Sequence, residues 1–115
     1  MVWKRNIMSR HIAESDWKVM QQLKPMLLDR LCEQILNEVA SAGTRPGQNA
    51  HRRYLDVFAL VARRDKDVAR AFDGLRRSNA IERLAAIRSM DLFTEEEFNR
   101  FSEETRSTVV FLCGL

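Results

Sequence analysis

Apolar residues recur every three or four positions from Ser15 to Ala42, at Trp17, Met20, Leu23, Leu27, Leu31, Ile35 and Val39. That interval stacks side chains on one face of an α-helix, and Leu28, Cys32 and Leu36 widen the face. Ser15 or Asp16 stands where an N-cap accepts the orphan amide hydrogens of a first turn. Pro25 removes one backbone donor and crowds the preceding turn, but the stripe keeps its phase across it, which predicts a kink rather than a break. Gly43-Thr44-Arg45-Pro46-Gly47-Gln48 then reads as a loop, with Gly43 placed as a C-cap and Pro46-Gly47 as turn chemistry.

After an N-cap at Asn49, a second stripe runs through Tyr54, Phe58, Val61, Val68, Phe72 and Leu75. This is a heptad seam of about three repeats whose missing member is Asp65. Asp65 either restarts the helix as an N-cap within Arg64-Asp65-Lys66-Asp67 or sits in the seam as a polar residue. Asn79-Ala80-Ile81-Glu82 reads as a capping box opening a short helix with Ile81, Leu84, Ala85 and Ile87 inward. Thr94-Glu95-Glu96-Glu97 reads as a second box, and Ser102-Glu103-Glu104 caps a last helix ending in Val109-Val110-Phe111-Leu112. No run of alternating β-branched and polar residues, and no Asn-Gly or Asp-Gly hairpin turn between two such runs, predicts a strand. The expected fold is all-α. A long antiparallel hairpin of helices at 16–42 and 50–77 is followed by short helices that fold back on it as a small helical bundle. Residues 1–14 read as a flexible lead-in and 15–115 as a single helical domain.

At 115 residues with 45% hydrophobic and 30% charged residues, one domain with a real core is expected. No apolar run approaches the ~20 residues that span a bilayer. Two cysteines do not make a disulfide framework, Cys32 is expected to be buried and inert, and the N-terminus lacks the pattern of a cleaved leader. These features point to a cytoplasmic protein. The net charge of +3 is unevenly spread. Residues 1–44 carry +1, residues 45–88 carry eleven Lys/Arg against five Asp/Glu for +6, and residues 89–115 carry −4. A basic middle beside an acidic tail suits either a nucleic-acid face or mutual neutralisation, and the second is favoured.

The stretch from His51-Arg52-Arg53-Tyr54-Leu55 through Arg64-Asp65-Lys66-Asp67 and Arg76-Arg77-Ser78 to Phe101-Ser102-Glu103-Glu104-Thr105-Arg106 resembles a group of small uncharacterised bacterial all-helical proteins. The resemblance covers most of residues 16–106 and implies no activity. Separately, Leu84, Ile87, Leu92, Thr94, Glu96, Glu97 and Phe98 resemble the short C-terminal helical module of many bacterial proteins, with its Leu-x-x-Leu, turn and Thr-x-Glu-Glu-Phe-like start. Asp91 stands where that module has a turn glycine. The resemblance implies a role in protein association.

Motifs for catalysis are lacking. His11 and His51 are forty residues apart, and no HxxxH or HExxH pattern places two ligands on one face. Neither a glycine-rich phosphate loop nor a GxSxG elbow occurs. Glu95, Glu96, Glu97, Glu103 and Glu104 sit at helix starts, where caps and the helix dipole already favour acids. No catalytic, cofactor or metal residue is therefore assigned, and the chain is expected not to be an enzyme. The candidate interaction face is Arg63, Arg70, Arg76 and Arg77, with Arg63, Arg70 and Arg77 seven apart on one helix. The acidic C-terminal helices are expected to neutralise or compete for it. The function expected is that of a protein-interaction or regulatory protein acting as a helical homodimer with an unidentified protein partner. The alternative is a small nucleic-acid-associated protein using the arginine face.

Overall fold

The computed structural model describes residues 12–114, and the expected lead-in over residues 1–11 lies outside them. Five α-helices are present among the described residues: α1 (Glu14–Gly43), α2 (Ala50–Phe72), α3 (Ala80–Ser89), α4 (Glu95–Phe98) and α5 (Glu103–Cys113). A 3₁₀ turn at Arg77–Asn79 leads into α3, and no strand occurs among the described residues. The all-α class and the long hairpin followed by short helices are as expected. Ile12 is buried and Glu14 already begins α1, so the ordered domain starts before residue 15.

The core lies at one end of the hairpin. Met20, Leu23, Leu27 and Leu31 of α1 meet Ala71 and Phe72 of α2, with Leu84, Ile87, Leu92, Phe98, Phe101 and Val109 laid over them. Phe93, Phe98 and Phe101 form a ring cluster with centroids 5.6–6.3 Å apart, and the Arg88 guanidinium lies 4.3 Å from the Phe98 centroid. Between Leu31 and Leu60 the only buried apolar residue is Ala42. The far half of the hairpin therefore projects as an arm from a molecule 62 × 27 × 23 Å in extent.

Several helix ends follow the local sequence. Asn49 accepts the Arg52 amide at 2.8 Å. Thr94 and Glu97 form the reciprocal box, and Ser102 accepts the Thr105 amide. Others depart from it. Asp16 does not cap α1; its buried carboxylate accepts from the Ser102 amide at 2.8 Å, the Ser102 hydroxyl at 2.7 Å and the Thr105 hydroxyl at 2.7 Å, anchoring the start of α5. Gly43 stays inside α1 with Thr44 as its C-cap, and α1 runs through Pro25. Asn79 does not cap α3. Its side chain turns back to accept from the Arg76 amide and donate to the Gly74 carbonyl.

The second long helix stops at Phe72, five residues short of the expected 77. Gly74 takes φ 62°, and the Arg83 guanidinium of α3 donates to the carbonyls of Arg70 at 2.8 Å and Asp73 at 2.9 Å, satisfying the helix end. Helix α3 ends in a Schellman motif. The Leu92 amide reaches Ile87 O, the Asp91 amide reaches Arg88 O, and Asp91 holds φ 58°.

The arm half of the α2 seam is rotated from expectation, whereas Val68, Phe72 and Leu75 are covered as the stripe predicts. Tyr54, Phe58 and Val61 are 63%, 66% and 46% exposed rather than buried. In the arm the covered positions are Val57, Leu60 and Arg64, the same heptad moved by one residue, or about 100° around the axis, and toward the base Asp67 and Ala71 are covered together with Val68 and Phe72. Polar contacts select this register. Arg64 pairs with Glu38 of α1 at 3.1 Å and with Asp67 at 2.6 Å, and Arg53 donates to Gly43 O at 2.7 Å, capping α1. Asp65 neither breaks the helix nor sits in this seam; α2 runs through it and it is exposed.

Candidate interaction surface

The four arginines singled out by sequence do not form one row. Arg63 and Arg70 lie seven apart on α2, but Arg76 and Arg77 come after its end. Arg77 is turned to Ile12 O at 3.1 Å and Glu14 at 3.6 Å. Arg70 lies 3.9 Å from Asp67, and Arg63 is exposed with no ion pair or hydrogen bond among the described residues. No ion pair among the described residues joins an α4 or α5 carboxylate to any of the four.

Much of the remaining arginine charge holds helices together. Arg30 grips Glu97 with both ends of its fork, at 2.8 and 3.1 Å, and also donates to Leu92 O. The Arg30 hydrogen bonds, helped by the Thr94 amide and opposed by burial, hold the Glu97 carboxyl down at about 2; the same pairing raises the Arg30 pKa. This clamp fastens α4 and the turn before it to the middle of α1.

Among the described residues, no cluster of His, Cys, Asp and Glu is arranged to hold a metal ion. His51 is exposed at the start of α2, and His11 lies outside the described residues. Cys32 and Cys113 are both exposed thiols, so Cys32 is not the buried hydrophobe expected. No helix among the described residues is long and apolar enough to cross a membrane. The surface depressions are open grooves. One of about 460 Å³ is lined by Asn37, Ser41, Arg45, Leu60 and Arg63, and another of about 450 Å³ by Glu103, Arg106, Ser107, Val110 and Phe111.

The stronger feature is apolar. The two broad sides of the hairpin differ. One carries the Asn37–Arg63 groove, and nearer the base, seven residues from Asn37 on the same face of α1, Arg30 clamps Glu97 of α4. About half a turn away on each helix lie Leu28, Ile35 and Val39 of α1 and Tyr54, Phe58 and Val61 of α2. On that side Leu28 and Ile35 are half-buried against the core cluster, while Tyr54, Phe58 and Val61 stand in solvent. Leu36, at its margin, is 60% exposed, and the rings of Tyr54 and Phe58 lie 6.5 Å apart, centroid to centroid. The sequence pattern marked Tyr54, Phe58 and Val61 as seam residues of the chain's own core, and they are the ones left exposed. A smaller exposed pair, Val110 and Phe111, lies on α5. No protein-family model matches the chain, and no curated protein or solved structure matches it either.

Proposed function

We propose that this chain is a non-enzymatic, cytoplasmic protein that works through helical protein–protein contact, as a homodimer. The observation that carries the reading is the arm. A two-helix hairpin extends beyond the core with Leu36, Tyr54, Phe58 and Val61 in solvent, and monomeric proteins rarely leave contiguous apolar surface of this kind uncovered. The similarity of residues 81–101 to an association module agrees with the reading. The nucleic-acid alternative is less favoured, because α2 ends at Phe72 and Arg76 and Arg77 do not extend the row of Arg63 and Arg70.

Sedimentation velocity across micromolar concentrations is the test. The reading expects a species of twice the 13.4 kDa chain mass, stable to nuclease and to raised salt. A monomer at every concentration overturns it. An assembly that dissolves with nuclease moves the argument to Arg63 and Arg70.

A further inference from the structure

We propose that two copies meet through the open side of the hairpin, their arms parallel, so that α2 of each lies over α1 of the other in a four-helix bundle. The inference rests on the homodimer reading and adds the surface and its geometry. A helical hairpin with one covered seam has no second layer, whereas helical domains are built from packed layers. Between Leu31 and Leu60 the arm buries only Ala42 of its apolar residues, so the missing layer belongs there. Helices α3–α5 pack at the base of the hairpin, where Phe72 is buried, and leave Tyr54, Phe58 and Val61 of the arm in solvent.

Area and charge indicate what fits. At ~200 Å² for a whole aromatic side chain, the 63% and 66% exposure of Tyr54 and Phe58 amounts to roughly 250 Å² from two residues. Leu36, Val61 and the half-buried Ile35 and Val39 add to this. The open side from Leu28 to the loop spans about 25 Å at 1.5 Å per residue, enough to approach the ~800 Å² per partner of a stable interface. Its charged member between Leu28 and Val68 is Asp65, which continues the stripe of Tyr54, Phe58 and Val61. A surface so poor in charge calls for an equally uncharged, equally long occupant, and this side of a second copy is one.

The division of side chains sets the orientation. The α2 half supplies the rings of Tyr54 and Phe58, and the α1 half supplies the smaller Ile35, Leu36 and Val39. A two-fold axis along the arm places α2 on α1 of the second copy, so rings meet aliphatic side chains and large fills against small. An axis across the arm would set ring against ring and aliphatic against aliphatic. The axis along the arm also brings Asp65 of one copy within about one helical turn, measured along the arm, of Cys32 of the other.

Phe58→Glu and Val61→Glu are each expected to raise the dimer dissociation constant at least about 30-fold, the effect of a 2 kcal/mol hot spot. Far-UV circular dichroism should keep its helical signal, because both positions are exposed in the single chain. Leu36→Glu repeats the test from α1, and Phe111→Glu on α5 should leave the dimer intact. Orientation is read with Asp65→Cys in a Cys113→Ser background. Diamide, accepting two electrons and two protons per disulfide, should join the new thiol to Cys32 of the second copy, and Cys32→Ser should abolish the link. A wild-type monomer overturns both the homodimer reading and this inference. A dimer that survives all three Glu substitutions overturns this surface alone. A dimer lost to them but never linked through Cys32 overturns the parallel arrangement.

Discussion

At the scale of single residues, local chemistry was legible and distant chemistry was not. Asn49, Thr94 and Ser102 act as caps because their partners lie three residues on. Asp16 has the same composition signal, yet its partners are 86 and 89 residues away, and no spacing rule reaches that far. Asp91 is the one non-glycine residue at positive φ among the described residues. Its φ of 58° carries a cost that a side chain pays and glycine does not. Asp91→Gly is therefore expected to stabilise the fold by about 0.5–1 kcal/mol, seen as a rise of a few degrees in thermal midpoint. Glu97 gives a pH dependence. Its carboxyl is held at about 2 against an ordinary 4.5, so the folded state binds its proton less readily than the unfolded chain. Its contribution is fully present above the ordinary value and is lost as pH falls from about 4.5 toward 2. Urea midpoints measured at pH 7, 5 and 3 should fall toward acid in the wild type. Glu97→Gln should start lower and fall less, so that the two curves converge.

At the scale of elements, the sequence located every long helix but misjudged one rotation and one end. The rotation went astray because the 3–4 spacing of α2 fits two registers one residue apart. Apolar content favours Tyr54, Phe58 and Val61, whereas the arm uses Val57, Leu60 and Arg64. The decisive contacts, Arg64 with Glu38 and Arg53 with Gly43 O, cross between helices and leave no mark on either helix's own periodicity. The end went astray because Leu75 continues the stripe. The stop comes from Gly74 at φ 62°, with Arg83 of α3 closing the last carbonyls. Gly74→Ala forces a Cβ into the left-handed region, and a loss of about 1 kcal/mol in denaturant stability is expected. Open space around the position leaves backbone strain as the cause.

At the scale of the whole molecule, the fold class followed from helical periodicity and the absence of strand patterns. The uneven placement of the core did not, since which face of α1 receives α3–α5 depends on contacts such as Arg30 with Glu97. That placement divides the chain into a base with nearly all the buried apolar residues and an arm whose burial stops at Ala42 and Leu60. Local stability tracks buried apolar contact, so the two parts should open at different free energies. In the Phe58→Glu variant, amide hydrogens of residues 34–41 and 52–59 are expected to exchange well before those of residues 20–31. In the wild type at dimer-forming concentrations the arm should gain protection while the base changes little. Equal protection of arm and base in the single chain would mean that the hairpin is stable without a second layer, and the physical case for covering its open side would fall with it.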